Sequence, residues 1–225
     1  MKMADITDDI LSASDDDESQ VVTAAEVLLK IESLWRTERL SPTLECHQSE
    51  LVDCMLDQIT QMNNNLRRCK KTDLRLAIHR MELERVRYVV ASYLRCRLLK
   101  IERFTHYLLE KHGELDDPSL ALLSPQELDY AKSYAQSIES HFNKLVLRHI
   151  THEKLAEFDA KKMSVVPNMN GYVFLKVLKD SPGVLISDQV GENADEEVDL
   201  VAGDQHLMMY SSIQELLKSG HVELI

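Results

Sequence analysis

Apolar residues recur at helical spacing through the first two thirds of the chain and at strand spacing near its end. Val27, Leu28, Ile31, Leu34 and Trp35 follow Thr23, which with Glu26 has the spacing of a capping box, each side chain taking the other residue's backbone N–H. Pro42 in "LSPTLE" breaks that helix. Leu51, Met55, Ile59 and Met62 predict a second helix over about residues 50–66. Asp73 can cap a third that continues to about residue 112, on the order of forty residues and ~60 Å long. "HGELDDPS" stops it. Ser124 at the N-cap and Pro125 at the first helical position then open a fourth through "SPQELDYAKSYAQSIESHFNKLVLRHI".

The pattern changes after residue 160. "MSVVPNMNG" reads as a linker, and "YVFLKVLKD", "GVLISD", "EEVDLVAGD" and "QHLMMY" read as strands separated by turn residues. "SIQELLKSG" is a short helix closed by Gly220, and "HVELI" a last strand. The expected fold class is α+β, an all-α N-terminal bundle followed by a small β-rich domain. The expected division is an acidic disordered tail (1–20), a helical domain (21–150), a linker (151–168) and the β-rich domain (169–225). That last piece has an apolar set of Val173, Leu175, Val177, Leu185, Ile186, Val198, Leu200, Leu207, Met209, Val222 and Leu224. About 60 residues is near the size at which a lone core is marginal. The domain is therefore expected to pack on its own helical domain or on a partner, through a face that includes its final residues. A terminal strand would send Val222 and Leu224 one way and Ile225 the other.

Few aromatics, 6 Gly and 5 Pro agree with a mainly helical chain, and a net charge of −12 argues against a general nucleic-acid binder. The charge is uneven. Residues 1–20 hold seven acids and one Lys, whereas residues 62–103 hold twelve Lys/Arg against four acids. Ser12 and Ser14, followed by acids, would suit an acid-directed kinase, or the tail is simply solvated and unmodified. No run approaches the ~20 apolar residues of a membrane span, and the acidic start lacks the apolar stretch of a signal peptide, so no membrane role and an intracellular protein are expected. Cys46, Cys54, Cys69 and Cys96 contain no C-x-x-C pair and imply neither a zinc site nor a disulfide framework.

The third helix has apolar residues on two faces: Leu74, Ile78, Met81, Val89, Cys96 and Leu99 on one, Leu83, Val86, Val90, Leu94, Leu98 and Ile101 on the other. A helix apolar on more than one face is buried on more than one side. Its bundle can cover one face, and the second needs more of this chain or a partner. Arg95, Arg97, Lys100 and Arg103 have three readings. They can be solvated stems over apolar surface, they can pair with carboxylates of neighbouring helices or another subunit, or they can hold phosphates. No nucleotide-binding glycine motif occurs, "HITHE" (His149, His152) has the wrong order for a zinc peptidase, and no nucleophile arrangement stands out. No catalytic, metal or cofactor-binding residue is assigned. The rival readings are a nucleic-acid-binding module using residues 62–103 and a hydrolase whose site is assembled in space.

"MELERVRYVVASYLRCRLLKIERF" resembles the Sld-five family of eukaryotic GINS subunits, "SYLRCRLLKIERF" being its most distinctive block. "LWRTERLSPTLE", "GYVFLKVLKD" and "QHLMMYSSIQELLKSGHVELI" are similar to further stretches of that family. The resemblance implies a helical A domain, a β-rich B domain and a heterotetramer with three paralogous subunits. It also implies a nuclear, non-enzymatic scaffold that joins the Mcm hexamer and the Cdc-forty-five protein in the replicative helicase, with little direct DNA contact. The residues expected at partner interfaces are Tyr93, Leu94, Arg95, Cys96, Arg97, Lys100, Ile101, Phe104, Val222, Leu224 and Ile225. "DITDDIL" resembles a peptide by which some fungal members dock on the trimeric replisome hub Ctf-four/And-one, which would use Ile6, Asp8, Asp9, Ile10 and Leu11; a chance apolar pair in a tail is the alternative.

Overall fold

The computed structural model describes residues 23–68, 74–114, 121–150, 164–186 and 196–225. Helices come first: α1 (Ala24–Leu40), α2 (Ser49–Arg68), α3 (Leu74–Arg103), α4 (Thr105–Glu114) and α5 (Pro125–Leu145), then a 3₁₀ turn, Leu147–His149. The expected boxes form. Thr23 accepts from the Glu26 N–H while Glu26 accepts from the Thr23 N–H at 3.0 Å. Ser124 and Glu127 do the same ahead of α5, with Pro125 in its first turn.

The expected single helix over 73–112 is two helices. At the break the Thr105 hydroxyl donates to the Ile101 carbonyl at 2.6 Å, a back-bond that bends helices. Phe104 N–H to Lys100 and Leu108 N–H to Phe104 continue across it, so the backbone ladder is kept. The expected cap Asp73 and the tail residues lie outside the described residues. The fourth helix stops at Leu145, short of residue 150, because the chain tightens into the 3₁₀ turn.

Two apolar clusters hold the helices. Val27 and Ile31 of α1, Val52, Met55 and Ile59 of α2, and Leu83, Val89, Val90 and Tyr93 of α3 form the first. Ile101, Phe104, Leu108, Leu44, Leu123 and Ala131 form the second, where α3, α4 and α5 meet. Trp35 locks α1 to α3 by donating to Ser92 at 3.0 Å and meeting the Tyr88 ring edge-to-face.

The C-terminal part contains β1 (Tyr172–Val177), β2 (Ser181–Ile186), β3 (Glu196–Leu200), β4 (Gln205–Met209), α6 (Tyr210–Lys218) and β5 (Val222–Leu224). One antiparallel sheet has the order β4-β1-β5, and β2 pairs with β3 in a separate hairpin. Gly220, at φ 70°, takes the left-handed conformation that ends α6, and His221 N–H bonds the Leu216 carbonyl behind it. Leu175, Val177, Met208, Val222 and Leu224 close over Tyr210 and Ile213 of α6. The register corrects one expected core residue: Leu207 pairs with Phe174 on the outer face and is exposed, and Met208, opposite Val173, points inward. A one-residue change of phase moves a side chain to the other face.

The sheet rests on the helices through its last strand. Glu223, alternating with buried Val222 and Leu224, accepts from Ser33 of α1 at 3.3 Å and pairs with Arg36. Ile225 leaves on the Glu223 side and is partly exposed.

Candidate interaction surfaces and the charged cluster that supports them

Arg97 is 1% exposed, and the guanidinium uses all five of its N–H donors. Nε and Nη2 reach the two carboxylate oxygens of Glu127 at 2.7 and 2.9 Å, a two-pronged pair. Nη1 donates to Glu38 at 3.2 Å and to the Glu45 carbonyl at 2.8 Å, and Nη2 donates also to the Leu122 carbonyl at 2.7 Å. Lys100 Nζ takes the other oxygen of Glu38 and the Thr43 carbonyl, both at 2.7 Å. Two cations and two carboxylates are thereby neutralised inside the bundle, with the Tyr93 ring 5.8 Å from the Arg97 carbon. Burial opposes charge on Arg97, but the hydrogen bonds and charge of Glu127 outweigh it and raise its pKa. Glu127 is likewise opposed by burial and held below the usual carboxylate range by Arg97.

The loop between α1 and α2 carries this order to the β-rich part. Its Glu45 gives a carbonyl to Arg97 and a carboxylate oxygen to the hydroxyl of buried Tyr210, 2.6 Å away. Ser41 and Thr43 stand 3.1 and 2.8 Å from the same hydroxyl. Burial, reinforced by Glu45, pushes the Tyr210 phenol well above its ordinary value, so it stays a hydrogen-bond donor.

Part of the expected interface lies inside this chain's own fold. Tyr93, Arg97, Ile101, Phe104, Val222 and Leu224 are buried by this chain's own side chains, and Lys100 is committed to Glu38. The bundle closes over this side of α3, and Val222 and Leu224 pack in the β-rich core with Tyr210 and Ile213. Leu94 and Cys96 are half-buried, and Arg95 and Ile225 exposed. Glu38 and Glu127 were missed, although both had a signal. Glu38 continues the apolar row Val27, Ile31, Leu34, where a carboxylate needs a buried partner, and Glu127 is the third helical residue of the Ser124 capping box. Tyr210 had none, since its partners are 165 or more residues away.

The open surface lies on the opposite side of α3. Leu74 (76% exposed), Ile78, Met81 (74%), Tyr88 and Leu99 follow one another at helical spacing along one face. A second open surface is the outer face of the sheet, where Tyr172 and Phe174 (62%) lie beside Leu207. Of the other residues of the first expected face, Cys96 is half-buried and Val89 buried. Among the described residues no group of His, Cys, Asp and Glu has the arrangement of a metal site, and no helix is long and apolar enough to cross a membrane. His149 is exposed, and His152 lies outside the described residues.

Two family models match this sequence: the GINS complex protein helical bundle domain over residues 43–146 and the DNA replication complex GINS protein SLD5 C-terminus over residues 167–225. The DNA replication complex GINS protein SLD5 of Mus musculus is 41% identical over 208 residues, 92% of this chain and 93% of the relative. The protein of the same name from Bos taurus is 38% identical over 224 residues, 99% and 100% of the two chains. That of Debaryomyces hansenii is 29% identical, over 84% and 82%. The chain belongs to the SLD5 family of GINS proteins. Arg97, Glu45 and Glu127 fall in the part matched by the family's helical bundle, and Tyr210 in the part matched by the SLD5 C-terminus. Glu38, on α1, precedes both matched regions of this SLD5 family chain.

Proposed function

We propose that this chain is a non-catalytic structural subunit of a GINS heterotetramer with three paralogous subunits. In the nucleus it helps to scaffold the replicative helicase, with the Mcm hexamer and the Cdc-forty-five protein, during initiation and elongation of DNA replication. The observation that carries this reading is the open apolar row of α3: Leu74, Ile78, Met81, Tyr88 and Leu99. Isolated exposed leucines need no explanation, but a row on one helix face suits another helix laid along it. The buried charges on the other side of α3 hold that row on a stiff support. Membership of the SLD5 family, whose relatives are named as GINS proteins, agrees with it.

The row also weighs against nucleic acid as the principal ligand of α3. Arg85 and Arg87 pair with Glu32, Glu82 and Glu84, and Arg97 is buried, so much of the helix's positive charge is already neutralised. The tail residues Ile6, Asp8, Asp9, Ile10 and Leu11 lie outside the described residues, and docking on the Ctf-four/And-one hub is proposed from their resemblance alone. Changing Ile10 and Leu11 to Ala should abolish hub binding; unchanged affinity would reduce the match to coincidence.

The test is coexpression with the three paralogous subunits. The full-length chain should be poorly recovered alone and copurify with all three. Changing Leu74, Ile78 and Met81 together to Ser should leave its helicity intact and lower recovery of the complex. Equal recovery of that variant in complex would remove the row from the assembly.

A further inference from the structure

A cleft of about 480 Å³ opens where the helical bundle meets the β-rich part. The α1–α2 loop contributes Leu44, α4 contributes Tyr107 and Leu108, and Leu122 and Met169 complete an apolar floor. Lys111 of α4 and Lys218 of α6 also line it, one from each half of the molecule, with Gln214 one turn before Lys218. Both lysines are exposed, and neither has an ion-pair partner among the described residues; Lys111 lies 4.9 Å from the Tyr107 ring centre. The one carboxylate of the lining, Glu45, accepts from the Tyr210 and Ser41 hydroxyls.

We propose that this cleft is a docking site for a short acidic peptide of a partner protein, one that buries a bulky apolar side chain between two flanking carboxylates. The floor is apolar and sized for one or two such side chains. The lining offers one cation from each half of the molecule, which suits carboxylates on either side of an anchor and not the continuous track that a nucleic-acid strand needs. The Gln214 amide supplies a donor and an acceptor for peptide backbone. Because the whole chain carries −12, the attraction acts at contact distance, within a Debye length of about 8 Å. A peptide seated here touches both halves of the molecule and favours their observed packing. This is a site separate from the α3 row, and its test does not depend on that row.

The probe is fluorescein-labelled Asp-Glu-Leu-Phe-Asp-Glu-amide, titrated by anisotropy into the full-length chain, copurified with the GINS subunits where it needs them for solubility. Saturable binding that weakens with salt is expected. Lys111→Glu with Lys218→Glu should weaken it about tenfold or more, since two ion pairs are lost and replaced by repulsion. Gln214→Trp, which fills the cleft without changing charge, should weaken it similarly. Lys144→Glu with Lys176→Glu, the same charge change away from the cleft, should leave affinity unchanged. Absence of saturable binding overturns the proposal. So does equal binding by the Lys111/Lys218 variant, or by a probe in which Leu and Phe are Ser. Laurate binding in the cleft where the peptide does not bind assigns it to a fatty acid and overturns it equally.

Discussion

Replacing Arg97 by Met tests the charged cluster, because Met keeps the length of the stem and removes every donor. The guanidinium makes five hydrogen bonds, to Glu38, Glu127 and the carbonyls of Glu45 and Leu122. Its loss leaves the Glu127 carboxylate without a cation and Glu38 with Lys100 alone. Breaking a buried pair costs ~3–5 kcal/mol, mostly through the charge left behind. For a chain of this size that is a fall of about 6–20 °C in Tm. Acid should relieve part of it. In the variant Glu127 keeps its burial and loses the cation that holds its pKa down. The cost is then greatest at neutral pH and shrinks as pH falls through the carboxylate range and Glu127 binds a proton. Arg97→Lys should fall between, since one ammonium cannot span two carboxylates and two carbonyls. Calorimetry of the full-length protein from pH 4 to pH 8 is the assay. A Tm within about 2 °C of wild type, or a loss that does not vary with pH, would show that the buried pair does not hold the bundle together.

Tyr210→Phe removes the hydroxyl shared by Glu45, Ser41 and Thr43 and should cost about 1–3 kcal/mol in urea unfolding; wild-type stability would show that the two halves are not joined there. Glu127 is held below its usual range, so the stability it contributes is present above the unfolded value of about 4.3 and is lost as pH falls through its lower folded value. Glu127→Gln should therefore be less stable at pH 7 and approach wild type in acid, and a parallel pH profile would contradict that sign. Deleting residues 221–225 removes Val222 and Leu224 from the sheet's core and Glu223 from α1, and should lower the Tm of the β-rich part while circular dichroism retains most of the helix. An unchanged melting curve would make the chain end a free tail.

Much of the fold was legible because local chemistry and tertiary packing agree. Thr23 and Ser124 cap the helices they were expected to cap, and Gly220 ends α6 at a positive φ. The break at Phe104 was not legible, because both sides of it carry helix formers and no Gly or Pro marks it. The two-faced pattern of α3 announced one covered side and one open side. It could not say that Arg97 belongs to the covered side: the side chain is drawn inward by Glu38, 59 residues before it, and Glu127, 30 residues after it. The same periodicity marked Leu83 and Leu74 as apolar, and only packing makes the first core and the second surface.

Native mass spectrometry of the full-length chain, coexpressed with the three paralogous subunits proposed as its partners, reads the proposed four-part assembly itself. One dominant species containing one copy of each subunit is expected, and it should lose this chain first when Leu74, Ile78 and Met81 are Ser. A stable, monodisperse monomer of this chain in the presence of all three subunits would contradict it.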